Sequence, residues 1–149
     1  MNKKFKHALV FGVFDKFHEG HRFFLRACSE RAEKCTVEVA RDAIVRLLKN
    51  KKPFESENTR LKNVLASGCA THAELGDEEL HVYHGLKRIR PDVIFFGYDQ
   101  ETLKRDLEGK MSEGALPKIP LIMIEAHEPH RYHTSLMTEN SEQAAANSE

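Results

Sequence analysis

The sequence has 149 residues, of which 40% are hydrophobic and 31% are charged, and this balance is typical of one globular domain with a single core. Lys plus Arg and Asp plus Glu number 23 each, so the formal net charge of zero argues against a protein that coats nucleic acid. The three cysteines form no CxxC pair and no apolar run approaches the ~20 residues of a membrane span. We therefore expect a cytoplasmic protein that has neither a disulfide framework nor a membrane anchor.

The first half of the chain alternates strand and helix patterns. Residues 7–12 form an apolar run that ends in glycine and predicts a buried strand. Residues 21–34 carry apolar side chains at helical spacing, and the β-branched residues 36–41 predict a second strand. Two further helices are predicted over residues 42–48 and 57–67.

The second half continues the alternation. Residues 70–75 predict a weak third strand. Residues 77–89 have an acidic first turn and a basic last turn, which the helix dipole favours, and we predict a helix there. Residues 92–96 are the clearest buried strand, residues 100–109 predict a helix, and residues 120–125 predict the last strand.

Strands that alternate with helices predict an α/β fold: a single Rossmann-like domain with a five-stranded parallel sheet and helices on both faces. We place this domain in residues 1–137. Residues 138–149 (TENSEQAAANSE) have no hydrophobic face to bury, and we predict a disordered tail. In such sheets ligands bind beyond the carboxyl ends of the strands, near the point where the strand order reverses.

The turn after the first strand, residues 12–21 (GVFDKFHEGH), holds two histidines at the start of a helix. A helix N-terminus offers free N–H groups and about half a positive charge to an anion. His18 and His21 beside it would suit a polyphosphate. The alternative is that one histidine caps the helix while the other is exposed.

This turn resembles the GTFDxxHxGH signature of the cytidylyltransferase-like nucleotidyltransferases, and the resemblance extends over residues 7–137. The group includes glycerol-3-phosphate cytidylyltransferase, phosphopantetheine adenylyltransferase and the archaeal type of FAD synthetase. The resemblance implies that His18 and His21 are catalytic. The nucleotide-binding residues that it implies in this turn are Gly12, Val13, Phe14, His18, Gly20 and His21.

Residues 37–53 (VEVARDAIVRLLKNKKP) resemble a segment of the FAD synthetase branch. The resemblance implies that Lys49 and Lys52 contact phosphates of the donor or acceptor, and that Lys52 is also catalytic. Arg60 lies where the family has an arginine early in a helix, which implies a third such contact. The alternatives are a solvated basic loop for the lysines and an ion pair on the helix surface for Arg60.

Residues 91–100 (PDVIFFGYDQ) resemble the family element that follows the fourth strand. The resemblance implies that Gly97 and Asp99 bind the nucleotide or hold the loop that binds it. The alternative is a plain turn in which the aspartate caps the next helix. The loop nevertheless emerges at the edge of the sheet where ligands bind, which favours the functional interpretation.

Residues 131–137 (RYHTSLM) resemble the family element that opens the last helix. The resemblance implies that Thr134 and Ser135 donate hydroxyl groups, together with a helix N-terminus, to the β- and γ-phosphates. It places Tyr132 near the base or the phosphates. The alternative for the two hydroxyls is an ordinary helix cap.

Two residues depart from the signature. Val13 stands where the family has threonine, so a hydroxyl is lost while the backbone amide remains. Glu19 places an acid inside the HxGH turn, where we expect it to point to solvent or to pair with a cation. These departures bear on the rate and on the choice of acceptor more than on the fold.

A metal site is the alternative use of the histidines. Imidazoles bind zinc or nickel, and His81 and His84 form an i, i+3 pair. A second cluster, residues 127–133 (HEPHRYH), is interrupted by Pro129, which breaks any helix through it. We therefore predict no metal ligands from the protein.

The resemblance implies transfer of a nucleoside monophosphate from a nucleoside triphosphate to a small phosphorylated acceptor, with release of pyrophosphate. The segments after the second and fourth strands favour AMP transfer from ATP to FMN. The alternatives are a cytidylyltransferase that uses CTP and glycerol phosphate, and a nucleotide-binding module without turnover. Mg²⁺ would accompany the triphosphate. The resemblance also implies a homodimer, and we expect no nucleic-acid or membrane partner.

Overall fold

A computed structural model describes residues 3–125, which form a parallel sheet flanked by helices. The five strands are β1 (Phe5–Gly12), β2 (Ala32–Val39), β3 (His72–Leu75), β4 (Val93–Gly97) and β5 (Leu121–Ile124). The five helices of the described part are α1 (Glu19–Arg31), α2 (Asp42–Lys49), α3 (Glu57–Ala66), α4 (His84–Ile89) and α5 (Glu101–Ser112).

The sheet has the strand order β3-β2-β1-β4-β5, and every pair of neighbouring strands is parallel. The predicted α/β fold with a five-stranded parallel sheet is confirmed. From β1 the chain first adds β2 and β3 on one side, and it then crosses to add β4 and β5 on the other. The strand order therefore reverses between β1 and β4. The edge of the sheet formed by the carboxyl ends of these strands is the expected ligand site.

The core has two layers, one on each face of the sheet. Alternate residues of a strand point to opposite faces, so Ala8 and Val10 of β1 lie in one layer while Leu9 lies in the other. The first layer includes Leu25 of α1 and Val64 of α3. The second layer includes Leu86 of α4 and Leu107 of α5. Helices thus cover both faces, as predicted.

The predicted helix over residues 77–89 is wrong for its first half, because only α4 is helical. His81 and Tyr83 adopt left-handed backbone conformations, with φ of 65° and 51°, which an α-helix cannot contain. Asp77 instead accepts a hydrogen bond from the backbone N–H of His84 at 3.0 Å. The acidic residues of this segment therefore belong to a loop that leads into a short helix.

The first helix and second strand begin earlier than predicted. Helix α1 starts at Glu19 and ends at Arg31, and β2 follows at once from Ala32. The pairing of β1 with β2 explains this early start, because Phe5 already lies opposite Ala32. Within residues 3–125, no helix is long and apolar enough to cross a membrane.

Candidate functional site

The turn after β1 is built around close packing on Gly12. Phe14 has a left-handed backbone (φ 55°), and its ring lies where a Cβ atom on Gly12 would be, so only glycine fits there. Val13 and Phe14 are both buried. The turn therefore has a fixed path from the end of β1 to the first residue of α1.

His18 and His21 lie stacked at the N-terminus of α1. Their ring centroids are 3.8 Å apart, with 26° between the ring planes. The Nδ1 atom of His18 accepts a hydrogen bond from the Gly20 N–H at 3.0 Å. The Nδ1 atom of His21 accepts one from the His18 N–H at 3.2 Å. Because both Nδ1 atoms accept, the hydrogen-bond pattern assigns the ring proton of each histidine to Nε2.

The neighbouring residues fix these two rings. His21 is buried, and its ring contacts Phe14 and Phe17 at centroid distances of 5.3 and 5.4 Å. A Cβ atom on Gly20 would lie 2.8 Å from Cε1 of His18, so the glycine leaves room for that ring. The rings are thus held at the first turn of α1, with His18 both capping the helix and stacking on His21.

Glu19, the acid inside the turn, points away from the two rings. Its side chain is 79% exposed and pairs with Arg22 at 3.1 Å. The expected solvent orientation is thus what the structure shows, and the acid is neutralised by its neighbour. The HxGH turn can bind an anion without this carboxylate in the way.

Asp15 connects the turn to the segment that follows α2. Its buried carboxylate accepts hydrogen bonds from the N–H groups of Phe54 and Glu55, at 2.7 and 3.0 Å. The N–H of Lys16 in turn donates to Glu55 Oε1 at 2.8 Å. Asp15 was given no role from the sequence, although it matches the aspartate of the GTFDxxHxGH signature, because its partners are backbone groups that the sequence does not reveal.

The two predicted lysines lie on the segment that Asp15 holds. Lys49 is the last residue of α2, and Asn50 ends the helix in a left-handed conformation. Lys52 is exposed in the loop that leads to Phe54. Asp15 therefore holds residues 54 and 55, which follow this basic segment, against the turn that carries the histidines.

Arg60 does not have the position that the resemblance to the family implies, which is a contact with a phosphate. Its side chain is fully buried on α3. The guanidinium donates to the carbonyl oxygens of Glu55, Val13 and Ala40 at 3.0, 3.0 and 2.7 Å. It also pairs with Asp42 at 2.6 Å. This placement does not fit a phosphate contact, because the charge is sealed from solvent and its donors are engaged. We assign Arg60 to holding the β1 and β2 ends together.

The loop after β4 is tied to β1 across the point of reversal. Buried Gln100 accepts from the Gly97 N–H at 2.9 Å and donates to the Phe11 carbonyl at 3.0 Å. An oxygen of Asp99 lies 2.9 Å from where a Cβ on Gly97 would be. Gln100 thus holds the loop against the carboxyl-terminal part of β1. The sequence alone does not point to Gln100, because its partner is a backbone group 89 residues away.

Several predicted residues lie outside the described part of the chain. Tyr132, Thr134 and Ser135 belong to residues 126–149, as does the histidine cluster at residues 127–133. Of the other pair, His81 contacts Asp106 at 3.0 Å and His84 contacts Asp77 at 3.2 Å. Among residues 3–125 there is no group of three or more side chains that could hold a metal ion.

The site combines three features that suit a polyphosphate. The hydrogen-bond pattern assigns the ring protons of two imidazoles to Nε2, a 13-residue helix begins beside them, and a basic segment precedes the residues that Asp15 holds. Negative charge would be met by hydrogen-bond donors and by lysines. A sequence profile of the cytidylyltransferase-like family matches residues 9–140.

The chain belongs to the cytidylyltransferase-like family. Two similar relatives are named FAD synthase. The chain is 39% identical over 117 residues to the FAD synthase of Methanosarcina barkeri, and this alignment covers 76% of this chain and 82% of the relative. It is 37% identical over 106 residues to the FAD synthase of Methanococcoides burtonii, covering 71% of this chain and 72% of the relative.

Two solved structures share the fold of this cytidylyltransferase-like protein. The lipopolysaccharide core biosynthesis protein of Thermoplasma volcanium superposes with a TM-score of 0.74 at 27% identity, covering 83% of this chain and 99% of that one. The pantothenate synthetase of Thermus thermophilus gives 0.52 at 11% identity, covering 97% and 66%, and supports the fold alone. Family and relatives together identify a nucleotidyltransferase enzyme.

Proposed function

We propose that this nucleotidyltransferase forms FAD by transferring AMP from ATP to FMN. The observation that carries the proposal is the histidine pair stacked at the N-terminus of α1, in which both Nδ1 atoms accept hydrogen bonds and Nε2 is the donor of each ring. FMN is inferred as the acceptor because two relatives named FAD synthase align with 76% and 71% of this chain.

The reaction needs no covalent enzyme intermediate. A phosphate oxygen of FMN attacks the α-phosphorus of ATP, a new P–O bond forms, and the bond between the α-phosphorus and the bridging oxygen breaks. Pyrophosphate leaves with the electron pair of that bond. Negative charge grows on the α-phosphate and on the leaving group, where His18 and His21 would donate from Nε2. Positioning and charge stabilisation supply the catalysis in this scheme.

The remaining predicted residues have supporting roles in the proposal. Lys49 and Lys52 would neutralise phosphates, since they closely precede the residues that Asp15 holds against the histidine turn. Gly97 and Asp99 would bind the nucleotide from the adjoining loop. The resemblance adds Thr134 and Ser135 at the β- and γ-phosphates and Tyr132 near the base.

Mg²⁺ fits this site as a companion of the triphosphate. Both carboxylate oxygens of Asp15 already accept backbone N–H groups, and Glu19 pairs with Arg22, so these two acids are engaged elsewhere. Mg²⁺ commonly binds through phosphate oxygens and water with few protein ligands, so it suits this site. When bound, it would neutralise charge on the transferring phosphates.

The test is an acceptor panel. Purified protein is incubated with ATP or CTP, with Mg²⁺ or with EDTA, and with FMN, glycerol 3-phosphate or phosphopantetheine. Pyrophosphate release and chromatography of the products are the measurements. We expect FAD from ATP and FMN with Mg²⁺, and none with EDTA. Product from CTP and glycerol phosphate would instead show a cytidylyltransferase. Nucleotide binding without pyrophosphate release from any pair would show a module without turnover.

A further inference from the structure

Phe54 is an exposed aromatic side chain at the ligand edge of the sheet. It is 75% exposed, the largest exposed fraction among the large hydrophobic side chains of the described residues. Single exposed hydrophobic residues are common and need no explanation by themselves. Three contacts set Phe54 apart, because they fix it to the turn that carries the histidines.

The backbone of Phe54 is held on both sides. Its own N–H and that of Glu55 donate to the Asp15 carboxylate at 2.7 and 3.0 Å, and Asp15 precedes His18 by three positions. The Glu55 carboxylate then accepts from the N–H of Lys16 at 2.8 Å. The position of Phe54 is thereby coupled to the path of the histidine turn.

A cation also accompanies the ring. The Nζ atom of Lys16 lies 3.8 Å from the ring centroid of Phe54, a cation–π contact on one ring face. Lys51 and Lys52 directly precede this region in the chain. A ligand that carries both a planar ring and a phosphate could use the aromatic surface and the cations of this one segment.

We propose that Phe54 is the stacking surface for the isoalloxazine ring of the acceptor. This inference rests on the proposed function, and it explains how the site selects a flavin phosphate. Flat aromatic ligands stack on a fixed side-chain ring with little loss of conformational entropy, whereas a flexible polyol phosphate gains nothing from such a surface. Phe54 would therefore determine the specificity for the acceptor and leave ATP binding unaffected.

The experiment compares four variants with the wild type: Phe54→Ala, Phe54→Leu, Phe54→Trp and Leu65→Ala. Leu65 is a matched control, since it is a half-exposed apolar residue of α3, outside the site. Quenching of FMN fluorescence gives the Kd for FMN, and initial rates of FAD formation give KM for FMN and for ATP. Circular dichroism checks that each variant is folded.

We expect Phe54→Ala and Phe54→Leu to raise both the Kd and the KM for FMN by about fivefold or more, the effect of losing one aromatic stacking partner. Phe54→Trp and Leu65→Ala should retain the wild-type values, and the KM for ATP should not change in any of the four. A wild type that forms FAD together with a Phe54→Ala variant that binds FMN normally would overturn the inference but not the proposed function. An equal loss of FMN and ATP binding, or a leucine variant as good as tryptophan, would overturn it too. A wild type that neither binds FMN nor forms FAD would overturn both.

Discussion

At the scale of single residues, the site depends on histidines that are oriented by backbone groups. His18 caps α1 through Nδ1, and the same residue donates its N–H to Nδ1 of His21. Each ring is therefore held by the nitrogen that faces the chain, and Nε2 is left to carry the proton. A side chain whose tautomer is set in this way is pre-organised to donate to an oxyanion.

The first residue-scale prediction concerns His18→Ala. Loss of one pre-organised donor should lower kcat by about 10²–10³. Steady-state kinetics of FAD formation measure the loss. His72→Ala is the matched control, since His72 is an exposed histidine of β3, and it should keep the wild-type rate. A folded His18→Ala protein with a normal kcat would contradict the catalytic role.

At the scale of elements, the sequence predicted all five strands of the described residues, three from apolar runs (β1, β4 and β5), β2 from its β-branched residues and β3 from a weaker pattern. It overextended the fourth helix, since residues 77–83 carry a charge pattern that is typical of a helix. The left-handed backbone at His81 and Tyr83 leaves no periodicity signal. The two links that assemble the site, through Asp15 and Gln100, are side chains bound to distant backbone groups. No local pattern in the sequence encodes such partners, so only the structure could supply them.

The contact between β2, β3 and α4 buries an acid, and it makes stability depend on pH. Glu38 of β2 is 5% exposed, and a Cβ atom on Gly85 would overlap its carboxylate. Burial, together with the charges of Glu74 and Asp77, raises the pKa of Glu38 to about 8, while the charge of Arg88 opposes the rise. Glu38 is therefore protonated at neutral pH in the folded protein.

This raised pKa predicts a falling stability with rising pH. Between the ordinary pKa of about 4.5 and the folded value of about 8, the native state binds a proton that the unfolded chain has released. The free energy of unfolding should decrease by up to about 1.4 kcal/mol per pH unit through this window, and it should level off above it. Glu38→Gln, which cannot ionise, should lack this component.

Urea unfolding at a series of pH values tests the prediction, with Glu33→Gln as the control. Glu33 is an exposed glutamate on the same strand, so this variant should follow the wild type. The advantage of Glu38→Gln over the wild type should grow as the pH rises toward 8. A difference between Glu38→Gln and the wild type that stays constant with pH would show that Glu38 does not titrate in this range.

At the scale of the whole molecule, the site is a consequence of topology. The chain reverses its strand order between β1 and β4, and the register brings the carboxyl ends of neighbouring strands level, with Gly12 opposite Val39 and Gly97 opposite Ile124. The loops that follow these strands therefore meet at one edge. Residues that are far apart in the sequence are brought together there, although no single sequence motif contains them.

The last prediction tests where the functional chain ends. Residues 138–149 contain alanine as their only hydrophobic residue, so their removal should cost no buried contacts. A protein truncated after residue 137 should keep the thermal midpoint and the rate of FAD formation of the full chain. By contrast, full-length Thr134→Ala/Ser135→Ala should raise the KM for ATP by about tenfold or more, since the proposed function has these two hydroxyls donate to charged phosphates of ATP. Differential scanning fluorimetry and steady-state kinetics measure both. A truncated protein as impaired as the double variant would place part of the ATP site in the last residues and move the domain boundary beyond 137.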